Sequence, residues 1–362
     1  MAKIAVAMSG GVDSSTAALI LKKQGHDIIG VTMKLWTDDD DKSRPGGCCS
    51  LKDVYDAKRV CDNLGIRHYV FNMEKEFKKL VVDCFVKEYL SARTPNPCIV
   101  CNEKIKFDLL LKKIKSLDFD YLATGHYARV ERSRINGEII YQLKKGKDKE
   151  KDQSYFLYRL GQLELSRLKF PLGNLSKKEV RKIALKNGIP VAQKADSQEI
   201  CFVRKNYADF IKSYVDKASR ALKPGAIVDK RGKVLGTHKG LIYYTIGQRS
   251  GLGISSAKPI YIAKMDARKN EIVIGDKKDG YSSKMLVRDI VWISGEAPKF
   301  PLNCKVKIRR QHPADYAVIT PVKSGLQVKF SEPQHAITPG QSAVFYDGDN
   351  VLGGGIISGG EA

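Results

Sequence analysis

Along roughly the first 205 residues, short apolar runs alternate with amphipathic stretches of helical period. Ile4 to Met8 is an apolar run of strand length, broken by Ser9-Gly10-Gly11. Asp13-Ser14-Ser15-Thr16-Ala17-Ala18-Leu19 then opens a predicted helix that stops at Gly25. Asp27-Ile28-Ile29-Gly30-Val31-Thr32-Met33 is a second apolar strand, so the chain opens as a strand–helix–strand unit of a parallel sheet. Residues 52–64 predict a helix with Val54, Ala57, Val60, Cys61 and Leu64 on one face. His68–Asn72 predicts a third strand, 74–90 another helix, Phe107 to Leu117 a further one, and Tyr121 to Gly125 a fourth strand. Cys61 and Cys84 fall inside helical patterns and read as small buried hydrophobes. The alternation predicts an α/β domain with a doubly wound parallel sheet.

The pattern then loosens. Residues 36–50 are polar, with Pro45, Gly46 and Gly47, and read as a mobile loop; the neighbours Cys48 and Cys49 are awkward partners for one ion and carry no assignment. Lys144 to Asp152 reads as a charge-dense loop with five lysines. Ser176 and Glu179 form a capping box that opens a helix to about 188, and Ser197 to Phe202 closes the first domain. Beyond about 205, one helix near Tyr207–Val215 precedes Lys223-Pro224-Gly225. Short alternating strands follow, at Glu271–Ile274, Lys305–Arg309 and Ala343–Tyr346. Their glycine and proline spacing predicts two small, mostly β domains, the last a β-barrel. The expected division is 1–205, 206–280 and 281–362.

Composition narrows the class. The 362 residues carry a formal charge of +23 and are 43% hydrophobic, enough for two or three cored domains. Such a field attracts polyanions, with nucleic acid the leading partner. No secretory signal precedes Ser9 and no stretch reaches membrane-span length, so the expectation is a cytoplasmic protein with no membrane partner. Eight cysteines in that setting point to thiol or metal chemistry rather than a disulfide framework.

Three stretches carry chemistry. A strand feeding a helix through two glycines aims free backbone N–H groups from a positive helix end, an arrangement that holds phosphate. The hydroxyls of Ser9, Ser14 and Ser15 add donors. Asp13 is either a metal partner or the helix cap, and Met33, at a strand end, either core or a surface for adenine. The string Ser9-Gly10-Gly11-Val12-Asp13-Ser14 is not a Walker A loop, since no Gly-Lys-Ser/Thr follows. It resembles the pyrophosphate loop (PP-loop) of the ATP pyrophosphatase superfamily, of adenine-nucleotide α hydrolase-like fold, which splits ATP between its α and β phosphates. The second stretch, Thr94-Pro95-Asn96-Pro97-Cys98-Ile99-Val100-Cys101, places a Cys-x-x-Cys at a predicted helix start, which favours thiolate. With no second such pair, a closed four-cysteine zinc site is disfavoured. The third is Lys194-Ala195-Asp196-Ser197-Gln198-Glu199-Ile200-Cys201-Phe202, where Cys201 by itself reads as core.

Ser9–Ser14, Thr94–Phe107, Gly125-His126-Tyr127, Lys151-Asp152-Gln153, Asp196–Phe202 and Pro339-Gly340-Gln341-Ser342 together resemble the tRNA-specific 2-thiouridylase (MnmA/TrmU) family, in order and over essentially the whole chain. The resemblance implies an enzyme that adenylates the 2-oxygen of the wobble uridine (position 34) of tRNA with ATP and replaces it with sulfur, releasing pyrophosphate and AMP. It implies that Ala7, Met8, Ser9, Gly10, Gly11, Val12, Asp13 and Ser14 hold ATP, with Met33 and Gly125 at the nucleotide and Mg²⁺ on the phosphates. It makes Cys101 the nucleophile and Cys201 the persulfide carrier. It places Asn96, Pro97 and Cys98 at the target base. Tyr127's neighbour His126, then Lys151, Asp152, Gln153, Arg309, Arg310 and Gln341 fall at tRNA-contact positions. A sulfur donor, a cysteine desulfurase or relay protein, is the implied second partner. One departure stands out: family members often have Asp where this chain has Cys98. That leaves two routes open, a Cys101–Cys201 persulfide relay or a 4Fe–4S cluster on Cys98, Cys101 and Cys201. A rival function is an ATP pyrophosphatase acting on a small carboxylate or amide. Another is a nonenzymatic RNA-binding protein, but neither uses all these motifs.

Overall fold

The computed structural model describes residues 1–36, 51–135, 137–196, 200–203, 206–216 and 219–361. The expected loop at 36–50, with Cys48 and Cys49, therefore lies almost wholly outside the described residues. The first sheet is parallel throughout, in the order β3-β2-β1-β4-β7, from β1 (Lys3–Ala7), β2 (Asp27–Lys34), β3 (His68–Asn72), β4 (Tyr121–Ala123) and β7 (Leu168–Lys169). Its central strands alternate between two cores. Ile4, Val6 and Met8 face one with Ala17, Ala57 and Val180; Ala5, Val31 and Met33 face the other with Phe85, Ile105 and Leu110. Burial on both faces is why these strands read as continuous apolar runs.

Helices α1 (Val12–Lys23), α2 (Leu51–Leu64) and α6 (Lys177–Lys186) pack on the first face. On the second lies α3, which runs Glu74–Phe77, through a wider π-helical stretch at Lys78–Val82, into Asp83–Leu90. Beside it lies α4, which starts at Pro97–Val100, continues as a π-helical stretch Cys101–Leu110 and ends at Leu111–Lys115. Helix α4 thus starts at the Cys-x-x-Cys, where the sequence places a helix start, and runs without a break into the stretch expected from Phe107, its Asn96 cap and Pro97 carrying the start. In α6, Ser176 accepts from the Glu179 amide and the Glu179 carboxylate from the Ser176 amide, the predicted capping box. A short α5 (Gln162–Leu165) precedes it.

Two expectations fail here. Cys84 is exposed, because Phe85, Val86 and Tyr89 form the buried face of that helix and Cys84 falls off it. The residues from Lys144 are not all loop. Strands β5 (Ala128–Ile135) and β6 (Glu138–Lys145) make an antiparallel hairpin. Its side chains alternate around charged residues, which masks strand period. Cys61, in contrast, is fully buried, and burial, aided by Asp62, pushes its thiol up to about 12.

After α7 (Tyr207–Tyr214), strands β8 (Gly225–Val228), β9 (Val234–His238), β10 (Tyr261–Asp266) and β11 (Glu271–Gly275) form a small sheet ordered β10-β11-β8-β9. The last six strands are β12 (Tyr281–Trp292), β13 (Leu302–Lys307), β14 (Asp315–Val322), β15 (Gly325–His335), β16 (Ser342–Asp347) and β17 (Asn350–Glu361). They close an antiparallel barrel through the β12–β17 pairing, as the sequence predicts. The hairpin of the first domain extends this barrel's sheet: β17 pairs with β6 at Asn350 and Lys144, and Arg129 binds Asp349 at 2.7 Å. Among the described residues no helix is long and apolar enough to cross a membrane.

His68, His126, His238, His312 and His335 are all held below the ordinary histidine range, burial being the largest cause for each. Between those folded values and about 6.5 the unfolded chain binds more protons than the folded one, so stability rises with pH there. Thermal unfolding followed by circular dichroism should show a flat midpoint above about pH 7.5 and a falling one as pH drops through about 6.5.

Candidate nucleotide and thiol site

Gly10, between β1 and α1, has φ +68°, and a Cβ on it would meet the Asp53 carbonyl oxygen at 2.3 Å. Gly125, just past β4, lies so close to α1 that a Cβ would sit 2.7 Å from the Ser14 nitrogen. Two strand ends on either side of the order reversal thus meet at one helix start, the place where parallel α/β sheets bind ligands. The helix cap is Gly11, which has no side chain to bond the first amides; Asp13 is not the cap. The serines divide. Ser14 Oγ accepts from the Ser9 amide at 3.1 Å and donates to Gly11 O at 3.2 Å, and buried Ser15 donates to the same carbonyl at 2.8 Å. Only Ser9 remains exposed as a hydroxyl of this turn. Ala7 is half-buried, whereas Met8, Val12 and Met33 are buried, Met33 in the core that also holds Cys101.

Asp13 is locked in a charged network. Its two oxygens accept from Lys177 Nζ at 2.7 and 2.8 Å, and one also accepts from Tyr127 Oη at 2.8 Å. Burial, then the Asp13 charge, pushes the Tyr127 phenol far up, so it stays a donor. Lys177 also meets Asp196 at 2.6 Å, and Asp196 meets Lys151 at 2.8 Å and Arg181 at 3.3 Å. On the other side of the turn, Lys194 Nζ donates to Gly10 O at 3.0 Å and pairs with Asp53 at 2.6 Å and Asp56 at 2.7 Å. Sequence reasoning missed Lys177, Lys194, Asp53, Asp56 and Tyr127. The signal for the aspartates was present: two carboxylates three apart interrupt the apolar face of α2, where Val54 is only half-buried.

Asn96 caps α4 by accepting from the Cys98 amide at 3.2 Å, with Pro97 in the first turn. Cys98 is exposed there, and Cys101, one turn on, is 8% exposed. Partly buried Cys201 packs against the core that contains Cys101. Its neighbour Phe202 fixes the segment, with ring centroids 5.7 Å from Phe77, 5.2 Å from Phe85 and 5.2 Å from Phe210. Among the described residues no three His, Cys, Asp or Glu side chains form a metal-holding group.

The loop before Cys98 is clamped from the barrel. The Thr94 amide donates to Pro339 O at 2.8 Å, and Gln341 Nε2 donates to Thr94 O at 2.9 Å. Tyr155 and Tyr158 reach Ser342 at 2.9 and 3.1 Å. Gln341 therefore serves the backbone in this structure. So does Asp152, which accepts from the Gly146 and Ser154 amides, and Gln153, which accepts from the Tyr127 amide at 2.9 Å. His126 Nδ1 lies 2.6 Å from Thr124 Oγ1, and burial, then Lys106, keeps the ring neutral. Arg309 and Arg310 follow β13 in a turn rather than continuing the strand; Arg310 lies over Phe156 at 5.5 Å. Burial is the main cause that lowers nearby Lys307, opposed by Asp152 and reinforced by Lys145 and Arg310. A cavity of about 380 Å³ lies elsewhere, between the last turn of α1 and Arg129, Tyr141 and Lys169, and none of the glycine turn lines it.

A parallel sheet with a glycine turn at its order reversal, joined to a small sheet and a barrel, defines a nucleotide-binding α/β protein with appended β domains. Residues 2–205 match a family model described as the tRNA methyl transferase HUP domain, 208–276 a tRNA methyl transferase PRC-barrel domain, and 282–357 an aminomethyltransferase beta-barrel domain. The chain is 50% identical over 359 residues to tRNA-specific 2-thiouridylase MnmA 2 of Caldanaerobacter subterraneus subsp. tengcongensis, covering 98% of this chain and 97% of that one. It is 49% identical over 361 residues to tRNA-specific 2-thiouridylase MnmA of Halothermothrix orenii, covering 99% of each. Its identity to the protein of that name in Clostridioides difficile is 47% over 357 residues, 98% of each. The chain belongs to the tRNA-specific 2-thiouridylase family.

Gly125→Ala drives a methyl into the start of α1. It should destabilise the fold by about 1–3 kcal/mol and weaken nucleotide binding, checked by denaturant unfolding and by titration with an ATP analogue. Unchanged affinity would remove Gly125 from the nucleotide site.

Proposed function

We infer that this chain is a tRNA 2-thiouridylase: with ATP it adenylates the 2-oxygen of the wobble uridine, then replaces that oxygen with sulfur. The observation that carries this reading is the likeness to thiouridylases over 98% of the chain; Met33 and Cys101 belong to one core, and Ala7 and Cys201 pack against it. The full-length likeness to thiouridylases, barrel included, speaks against a small-acid ATP pyrophosphatase.

The carbonyl at C2 of uridine is a poor electrophile because oxide is a poor leaving group. Transfer of AMP to that oxygen makes AMP the leaving group and expels pyrophosphate. The amides at the start of α1 and the exposed Ser9 hydroxyl stabilise the departing phosphate charge in this reading. Asp13 is already neutralised by Lys177, so Mg²⁺ comes with the phosphates rather than from a protein cage. The terminal sulfur of a Cys201 persulfide attacks C2 and displaces AMP. The Cys101 thiolate then attacks the inner Cys201 sulfur, which forms a Cys101–Cys201 disulfide and frees 2-thiouridine; an external thiol reductant reopens the pair. The persulfide comes from a cysteine desulfurase or relay protein. Neutral His126, Lys151, Arg309 and Arg310 fall to the tRNA side, and the target base leaves its stack to reach Asn96, Pro97 and Cys98.

A second reading, a 4Fe–4S route, is favoured by one observation, an exposed thiol at Cys98 a turn before Cys101. Cys101→Ala and Cys201→Ala should each abolish 2-thiouridine formation, read by nucleoside mass spectrometry, while tRNA-dependent pyrophosphate release persists. Cys98→Ala should keep thiolation. Its loss, together with iron in anaerobically purified protein, would install the cluster instead. Arg309→Ala should weaken tRNA binding and flatten the log-affinity against log-salt slope by about 0.9; an unchanged slope would take Arg309 off the interface.

A further inference from the structure

Lys177 is the first residue of α6, directly after its cap. A helix start favours acids, not cations, and the Lys177 side chain is only 11% exposed. It is held there by two carboxylates from different elements, Asp13 on α1 and Asp196. Asp196 is bound further by Lys151 and Arg181. Burial acts to raise its carboxyl, but the hydrogen bonds from Lys151 and Lys177 outweigh it and hold the group below the usual range. Two residues earlier, Lys194 is fastened to the Gly10 carbonyl, Asp53 and Asp56. The three residues 194–196 are therefore tied at both ends to the glycine turn and its helix. Cys201 follows Asp196 by five residues, and Phe202 is anchored in the aromatic core.

We propose that residues 194–196, fixed by Lys194 and by the Asp13–Lys177–Asp196 ion chain, form a strap that positions the Cys201 segment against the nucleotide turn. Asp196 is a positioning residue that acts through the strap, by its bonds to Lys151, Lys177 and Arg181. The strap makes the geometry of sulfur delivery depend on the same loop that binds the phosphates. Misplacement by about 1 Å is enough to slow a transfer step about a hundredfold. This inference rests on the thiouridylase reading.

The test uses the full chain, substrate tRNA and ATP, and reads three quantities for Asp196→Asn. Pyrophosphate release without a sulfur source, and thiolation supported by inorganic sulfide, which bypasses Cys201, should stay within about twofold of wild type. Thiolation from cysteine and a cysteine desulfurase should fall on the order of tenfold to a hundredfold. Asp196→Glu should restore part of the loss. Arg181→Gln, which removes the bonds to the Ala192 and Lys194 carbonyls and to Asp196 and leaves Lys177 in place, should show the same split and guards against a folding defect in Asp196→Asn. Equal loss in all three readouts, or no loss in any, overturns the strap. Absence of 2-thiouridine from the wild-type reaction overturns the thiouridylase reading itself.

Discussion

Two backbones must nearly touch at the start of α1. The turn before it presses on the Asp53 carbonyl through Gly10, and the segment after β4 presses on Ser14 through Gly125. Any side chain at either glycine would part the two strand ends that frame the helix N-terminus. With both in contact, the first amides of α1 sit in a corner walled by protein on two sides, and an anion meets fixed dipoles there rather than loose water.

Around that corner the sequence supplies opposite charges in near balance. Asp13, Asp53, Asp56 and Asp196 face Lys151, Lys177, Arg181 and Lys194. Removing one partner of such a half-buried set leaves an uncompensated charge, which costs far more than the pair contributes. The network thus acts chiefly on placement: it fixes where the 194–196 stretch runs. A second device works from the other end of the chain. Pro339, Gln341 and Ser342 hold Thr94, Tyr155 and Tyr158, so the barrel braces the loop that carries Cys98 and Cys101. Arg159 adds a link, with Glu103 at 2.6 Å on one side and Asp289 at 3.0 Å on the other. Residues far apart in the chain that looked like contacts to an RNA are, in part, the fastening between domains.

The elements with strong local signals were legible. The β1–α1 unit, the capping box at Ser176, and the barrel strands follow from period, caps and turn chemistry. The hairpin 128–145 was not, because arginines and lysines on both faces hide its alternation and its partner strand lies two hundred residues away. Cys84 was misjudged since a helical period allows several faces and only packing selects one. Asp13 was given the role its position suggests, yet Lys177 claims both of its oxygens.

By itself the sequence determined the glycine turn between β1 and α1, the alternation of strands and helices around it, and the Cys-x-x-Cys at a helix start, because each is written in residues close together in the chain. Which charges pair, which serines turn inward, and how Cys201 comes to border the core of Cys101 were decided by tertiary structure alone. Those facts depend on side chains from distant segments competing for the same few oxygens and the same buried space, and a local pattern holds no record of that competition.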